Sequence, residues 1–116
     1  MSHFKVNQKD LLFILKEQLN YGSLCKLDRY RELNEKAFDM LVAEAIAFAR
    51  GVLDPLQEIG ENWGTRYESG KVFSPPEFRE AFRRYGQEGF TAAARDLEYG
   101  GQGFPHMRRI VINVVM

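Results

Sequence analysis

After Asn34, apolar residues recur every three or four positions as far as Ile59, which is the pattern of a long helix with one apolar face. The Asn34 side chain is suited to accept hydrogen bonds from the first free N–H groups of that helix. Gly51 and Pro55 fall inside the pattern, and a proline removes one donor and clashes with the preceding turn. The sequence therefore predicts a helix that begins after Asn34 and is kinked near residues 51–55.

A second helix is predicted from Gln8 to Leu19. Its apolar residues cover most of the helix circumference, which is more than one contact surface requires, so we expect it to contact two neighbours. Residues 21–23 contain a glycine and a serine and should end this helix. Residues 24–33 then form a short connector, with one helical turn at 28–33.

A capping motif predicts the start of a third helix. Ser74 is followed by two prolines, which are tolerated at the first helical positions, and Glu77 stands where a capping box requires an acidic residue. Phe78 lies on the apolar face of this helix, and Gly86 and Gly89 should end it.

The remaining segments carry no signal for a substantial sheet. Residues 60–70 are polar and predict a loop, while the β-branched cluster at 110–115 follows Pro105, which opens a last helix. The predicted class is therefore all-α, a small helical bundle with about four main helices. We expect residues 1–33 to be an N-terminal helical extension and residues 34–116 to be the main α-domain.

The last helix is apolar up to the final printed residue. The run from Met107 to Met116 has neither a polar last turn nor a glycine, which are the usual signals at the end of a helix. We expect this segment to be covered by further polypeptide, which would make the α-domain incomplete at its C-terminus. Without that cover, the exposed apolar surface should favour a homo-oligomer.

Three glycines lie close together just before the last helix. Gly100, Gly101 and Gly103 predict positive φ angles or a close approach of backbone to another surface. An ordinary connection between helices rarely needs such freedom three times, so this loop is the most distinctive local feature of the chain.

The charges exclude some classes of partner. The chain has 116 residues with sixteen basic and sixteen acidic side chains, and this balance argues against a nucleic-acid-binding protein. Solvated helix faces explain the pairs Arg83-Arg84 and Arg108-Arg109. The longest apolar run is far shorter than the ~20 residues of a membrane span, so we expect a soluble protein in a bacterial cytoplasm.

Candidate reactive side chains do not form a recognised motif. His3, Cys25 and His106 stand at unrelated positions, so we expect no metal site. Glu58 and Glu61 are three residues apart near a helix end, which is more typical of a solvated face than of paired catalytic carboxylates. Cys25 could be a nucleophile, but neither histidine has an orienting partner, so a half-buried thiol is the simpler interpretation.

Two further features could bind a ligand. Gly101-Gln102-Gly103 begins like a dinucleotide-binding fingerprint, but no strand precedes it and the remaining glycine is missing. Trp63, placed in the predicted polar loop, could anchor a ligand or partner, although a partly covered packing residue is the commoner role. The residues by themselves therefore predict a helical domain and no particular reaction.

Residues 95–105 read R-D-L-E-Y-G-G-Q-G-F-P, which resembles the A-D-P-E-Y-G-G-Q-G-L-P stretch of the acyl-CoA dehydrogenase family. Leu97 stands where proline is common and Phe104 where leucine is usual, and all three glycines are kept. Segments 13–19, 27–30, 45–49 and 52–56 resemble the opening of a larger bacterial subgroup of this family, which includes 3-methylthiopropanoyl-CoA dehydrogenases.

The resemblance implies the N-terminal helical domain of a flavoenzyme that dehydrogenates acyl-CoA thioesters. In this family FAD is held by a middle β-domain and a C-terminal helical domain, and electrons pass to an electron-transfer flavoprotein. The resemblance therefore implies that this chain carries no catalytic residue, binds no FAD by itself and depends on those missing domains. It also implies that the loop containing Tyr99, Gly100, Gly101, Gln102 and Gly103 helps to close the acyl end of the substrate pocket.

Two other functions stay open. A free-standing helical module could dimerise through the face of Met107 to Met116 without any catalysis. A small carrier of an apolar ligand could use Phe78, Phe82 and Phe90, although aromatic residues at helical spacing more often form a core.

Overall fold

A computed structural model describes residues 4–30 and 33–115 of the chain; His3 and Met116, which entered the sequence analysis, lie outside the described residues. The helices are α1 (Gln8–Phe13, continued by a π-helical turn at Ile14–Gln18), α2 (Glu35–Phe48), α3 (Asp54–Trp63), α4 (Pro76–Gln87) and α5 (His106–Val115). Two short strands, β1 (Arg66–Glu68) and β2 (Lys71–Phe73), lie between α3 and α4. The described chain is thus mostly helical, as predicted.

The Asn7 side chain caps the start of helix α1. The Asn7 side chain accepts hydrogen bonds from the backbone N–H groups of Lys9 and Asp10, at 3.0 and 3.3 Å. The helix ends at Leu19, whose N–H reaches the Ile14 carbonyl, and 3₁₀ turns at Tyr21–Lys26 and Asp28–Tyr30 form the connector. Only the first half of the turn predicted at 28–33 can be followed, because residues 31–32 lie outside the described part.

The long helix predicted after Asn34 is present, and its irregularity takes a specific form. Asn34 caps α2 by accepting from the N–H of Ala37 at 2.8 Å, as predicted. A π-helical turn at Ala49–Leu53 then joins α2 to α3. Pro55 occupies the first turn of α3 and has no backbone N–H to donate. The π-helical turn, which is wider than an α-helical turn, therefore lies just before this proline.

The predicted loop at 60–70 is wrong in two respects. Helix α3 continues to Trp63, so that residue ends a helix and is not in a loop. The segment after it forms an antiparallel hairpin in which Tyr67 pairs with Val72. Ser69 and Gly70 make the turn with φ angles of 52° and 79°, which matches the positive angles that two-residue hairpin turns favour.

Helix α4 starts at the predicted position with a different cap. Pro75 occupies the N-cap position and no side chain caps the helix, so the capping box expected from Ser74 and Glu77 does not form. Gly86 is the penultimate residue of the helix, and Gly89 just beyond it takes a φ of 82°. The last helix, α5, follows Pro105 as predicted.

The core lies around α2. Leu15 and Tyr21 from the N-terminal segment, residues of α2, Phe90 and Ala93 from the loop, and Val111, Ile112 and Val115 from α5 form one buried cluster. The molecule measures 54 × 35 × 16 Å with a radius of gyration of 16.8 Å. A compact domain of this length has a radius of about 13 Å, so this fold is a thin layer.

Candidate functional site

The three loop glycines adopt the conformations that the sequence requires. Gly100 and Gly103 have φ angles of 80° and 66°, which residues with a Cβ rarely adopt. Gly101 has an ordinary φ, but a Cβ there would overlap the Arg95 backbone carbonyl. The prediction of positive φ or close backbone approach is therefore confirmed at all three positions.

Backbone hydrogen bonds fold this loop onto the segment just before it. The N–H of Gly103 donates to the Arg95 carbonyl at 2.8 Å, and the N–H of Phe104 donates to the Ala93 carbonyl at 2.9 Å. Because Ala93 belongs to the core, these bonds hold Phe104 close to α2 and α5. The loop is thus a fixed connection between the core and α5.

The five residues to which the family resemblance points all lie in this loop, but they differ in solvent exposure. Tyr99 and Gly100 are exposed, while Gly101, Gln102 and Gly103 are half-buried. Gln102 lines a cleft, and its amide lies against Gly89, where a Cβ would overlap it.

Beside Gln102, the structure places a residue that the sequence analysis missed. Arg108 is fully buried, so a solvated helix face does not explain the Arg108-Arg109 pair; only Arg109 is exposed. One terminal nitrogen of Arg108 donates to the Ala37 carbonyl at 2.6 Å. The Phe104 ring centroid is 3.3 Å from the guanidinium carbon, the geometry of a cation–π contact.

The spacing of residues along α5 indicates that Arg108 is buried. It lies three, four and seven positions before Val111, Ile112 and Val115, the buried residues of α5, so it shares their face. Its burial lowers the pKa of the guanidinium to about 10, because desolvation disfavours the charged form. At neutral pH the side chain is still a cation.

A second buried polar group, the hydroxyl-bearing ring of Tyr21, lies next to Phe38, which Arg108 also faces. The Tyr21 ring stacks on Phe38 with centroids 3.7 Å apart, and the Arg108 guanidinium lies 5.3 Å from the Phe38 centroid. Burial raises the pKa of the Tyr21 hydroxyl to about 12. Neither the Tyr21 hydroxyl nor Nε and Nη1 of Arg108 has a hydrogen-bond partner among the described residues.

The cleft that Arg108 and Gln102 line has a volume of about 200 Å³. Its other walls come from α2, from the residue after α4 and from the loop: Ala37, Met40, Leu41, Glu44, Glu88 and Phe104. A buried cation and an amide in a small, partly apolar space can recognise an acceptor group. They do not supply a nucleophile or a general base.

A larger groove is lined by other residues than the cleft. Its volume is about 790 Å³, and α3, α4, the end of α5 and residues 4–6 line it. Phe78 and Phe82 belong to this groove, whereas Phe90 packs in the core with its ring centroid 5.5 Å from that of Phe48. The three aromatic residues suggested for a carrier site therefore do not form one site.

The other candidate residues take structural positions. Glu58 and Glu61 are exposed, which agrees with a solvated face, and Cys25 is a half-buried free thiol beside the core. Trp63 is partly covered, with the Arg66 guanidinium 4.2 Å from its ring centroid. In residues 4–30 and 33–115, no three His, Cys, Asp or Glu side chains come together in a metal-binding group.

A search of the described helices for membrane-spanning segments finds no candidate of sufficient length and apolar character.

Comparison with known proteins gives one informative similarity. No family model matches the chain. The chain is similar to the 3-methylmercaptopropionyl-CoA dehydrogenase of Ruegeria pomeroyi, with 25% identity over 97 residues. The match covers 84% of this chain and 16% of that protein, so the chain spans a small part of its curated relative's length. The resemblance first noted at residues 95–105 thus extends to a distant relative that is an acyl-CoA dehydrogenase.

Proposed function

We propose that this chain is the N-terminal helical domain, or a piece, of an FAD-dependent acyl-CoA dehydrogenase, and that the glycine loop helps to close the acyl end of its substrate pocket. The observation that carries the proposal is the similarity to 3-methylmercaptopropionyl-CoA dehydrogenase along most of this chain. The similarity to a small fraction of that protein supports a role as one domain of a longer enzyme.

The packing of the chain supports the same proposal. The described residues form a layer 16 Å thick, and large apolar side chains such as Tyr67, Phe82 and Val114 are exposed. Phe82 and Val114 line the same open groove, and a contiguous apolar surface on a protein often marks a contact with other polypeptide. Middle and C-terminal domains of a dehydrogenase would provide that contact and would also hold the flavin.

In this proposal the chain supplies shape and no chemical step. FAD bound by the other domains would accept the hydride from the acyl-CoA thioester, and an electron-transfer flavoprotein would accept the electrons. The backbone of Gly100, which faces open space, would let another surface approach closely, while Gly101 packs against the Arg95 backbone and fixes the loop.

The experiment is to isolate the natural gene product from its source and to record its mass, its visible absorption spectrum and its acyl-CoA-dependent reduction of an electron-accepting dye. We expect a yellow protein several times larger than 13.4 kDa that reduces the dye. The 116-residue chain, assayed in parallel, should be colourless and inactive. A colourless natural product of 13.4 kDa without activity would falsify the proposal, and a yellow, active isolated chain would contradict the assignment of FAD to other domains.

A second function, a free-standing module that dimerises through α5, is favoured by one observation. Ile110 and Val114 lie one helical turn apart and are both 59% exposed, although the opposite face of α5 is buried in the core. This face could pair with its copy in a homo-oligomer.

Sedimentation of the isolated chain separates the two functions when it is combined with the mass of the natural product. If the module is the natural form, the chain should be a dimer that becomes a monomer in the Ile110→Lys, Val114→Lys double variant. Gln87→Lys, at an exposed position of α4 and outside the α5 face, is the control and should leave the dimer intact. A chain that is monomeric at all concentrations would rule out the module.

A further inference from the structure

The cleft beside the glycine loop contains an unusual combination of burial and unmet hydrogen bonding. Arg108 has no exposed surface, and its guanidinium makes one hydrogen bond, to the Ala37 carbonyl. Nε and Nη1 have no acceptor among the described residues. Buried donors of this kind are rare in folded proteins, and a buried guanidinium without an anionic partner is strongly disfavoured.

We propose that this cleft binds a small monocarboxylate whose oxygens accept hydrogen bonds from Arg108. A carboxylate is the acceptor that best matches a guanidinium, because the hydrogen bonds are charge-assisted. This inference goes beyond the proposed function and does not depend on it.

The walls of the cleft restrict the ligand. A volume of about 200 Å³ corresponds to roughly six water molecules, which suits a ligand with only a few heavy atoms. Met40, Leu41 and Phe104 offer apolar contacts to a short hydrocarbon chain, and the Gln102 amide is a further polar group.

The charged side chains that line the cleft favour a ligand with a single negative charge. Glu44 and Glu88 line the cleft and are exposed, so a dianion such as succinate would meet two carboxylates beyond Arg108. Because Arg108 is shielded from solvent, the ligand must displace part of the half-buried Phe104 or Gln102 side chain to reach it. Binding should therefore move both of these residues.

The test is a titration of the 116-residue chain with sodium propionate at constant ionic strength, followed by NMR signals of the Arg108 Nε–H and the Gln102 side-chain amide. We expect a saturable shift of both signals. Propionamide, which has nearly the same shape without the charge, should bind at least about tenfold more weakly, because its hydrogen bonds are not charge-assisted. Succinate should also bind more weakly than propionate. Absence of saturation, or equal binding of the amide, would overturn the proposal.

Two neighbouring arginines provide a matched pair of variants. Arg108→Met should abolish the propionate response of Gln102, and Arg109→Met, at the exposed neighbouring position, should preserve it. If Arg108→Met fails to fold, Arg108→Lys replaces it and should weaken binding by about tenfold, since an ammonium does not reproduce the guanidinium geometry. An equal loss in the Arg109→Met variant would mean that the anion binds nonspecifically, against the proposal.

A further variant tests whether the anion binds in this cleft. Glu44→Gln removes one carboxylate from the cleft and should strengthen propionate binding a few-fold, because it removes a repulsive charge. Unchanged propionate binding in this variant would show that the anion does not lie beside Glu44, and the proposal would be wrong.

Discussion

Two regions of this molecule contain similar helices but differ in what those helices bury. Helix α2 buries six apolar residues against the N-terminal segment, the loop and α5. The region 54–87, called the arm here, comprises α3, the hairpin and α4; all of it is described, and Pro75 and Ala81 are its two buried residues. The arm nevertheless carries exposed Tyr67, Val72 and Phe82.

The difference teaches that amphipathic pattern and burial are separate properties. The arm has the helix signals of an ordinary core element, and the Phe78 ring does lie against Gly60 of α3. One such contact between two helices buries little surface compared with the cluster around α2. Burial removes apolar area from water and provides most of the stability, so α2 should hold the fold together and the arm should depend on external contacts.

The largest expected effect comes from a matched pair of phenylalanines. Phe38→Ala removes a fully buried ring that contacts Tyr21 and should cost about 3–5 kcal/mol in the free energy of unfolding. Phe82→Ala, in the arm, changes a ring that is 73% exposed and should stay within about 0.5 kcal/mol. Urea denaturation of both variants measures the contrast, and equal losses would remove the distinction between the two regions.

A buried hydroxyl in the core should make stability depend on pH. The folded-state pKa of Tyr21 is about 12, and the ordinary value is 10.0. The contribution of its neutral hydroxyl to the free energy of unfolding is therefore complete below pH 10 and is lost as pH rises towards 12. Tyr21→Phe has no such loss. Its stability relative to the wild type should therefore rise between pH 10 and 12 by up to about 2–3 kcal/mol.

Tyr85 is the comparison for this pH effect. Burial also raises the pKa of this hydroxyl at the end of the arm, but the residue is only half-buried. Tyr85→Phe should show the same sign with a smaller amplitude in denaturation experiments at the same pH values. A stability difference that is independent of pH in the Tyr21→Phe variant would contradict this account of the core.

A pair of glycines compares the loop before α5 with the arm. Gly101→Ala places a Cβ against the Arg95 carbonyl and should cost about 1–3 kcal/mol through overpacking. Gly86→Ala, within α4 and facing open space, should instead stabilise the chain by about 0.5–1 kcal/mol. Thermal unfolding of the two variants is the measurement, and a neutral Gly101→Ala would mean that the loop can rearrange.

The smallest effect is expected for ion pairs. Lys16 lies 2.7 Å from Asp39 in the core region, and Lys16→Met should cost at most about 1 kcal/mol, decreasing with added salt. Arg83 and Glu80 form a fully solvated pair in the arm, and Arg83→Met should give no measurable change in the urea midpoint. A large effect of the arm pair would show that the arm is held more firmly than its packing indicates.

The sequence predicted the elements that depend on local chemistry. The Asn34 cap and the irregular helix before Pro55 follow from hydrogen-bonding capacity within a few residues, and the prolines mark the start of α4 although the expected capping box is absent. The positive φ angles of Gly100 and Gly103 were also predicted, because only glycine adopts those angles readily.

The features that were missed depend on distant contacts or on very short elements. Strands of three residues give no alternation that can be recognised, so Tyr67 falls in the predicted loop and no strand is predicted at Val72. The burial of Arg108 needs Ala37 and Phe104 on other elements, although its spacing from Val111 was a usable signal. The cleft that contains Gln102 is formed by α2, the residue after α4, the loop and α5, so it could not be predicted from the glycine loop alone.

The most direct test of the central claim, that the arm is built to be covered by other polypeptide, is amide hydrogen exchange in the isolated chain and in the natural gene product. We expect the amides of α3 and α4 to exchange about tenfold or more faster in the isolated chain than in the natural product, while α2 is protected in both. Arm amides as slow as those of α2 in the isolated chain, or unchanged in the natural product, would contradict the claim.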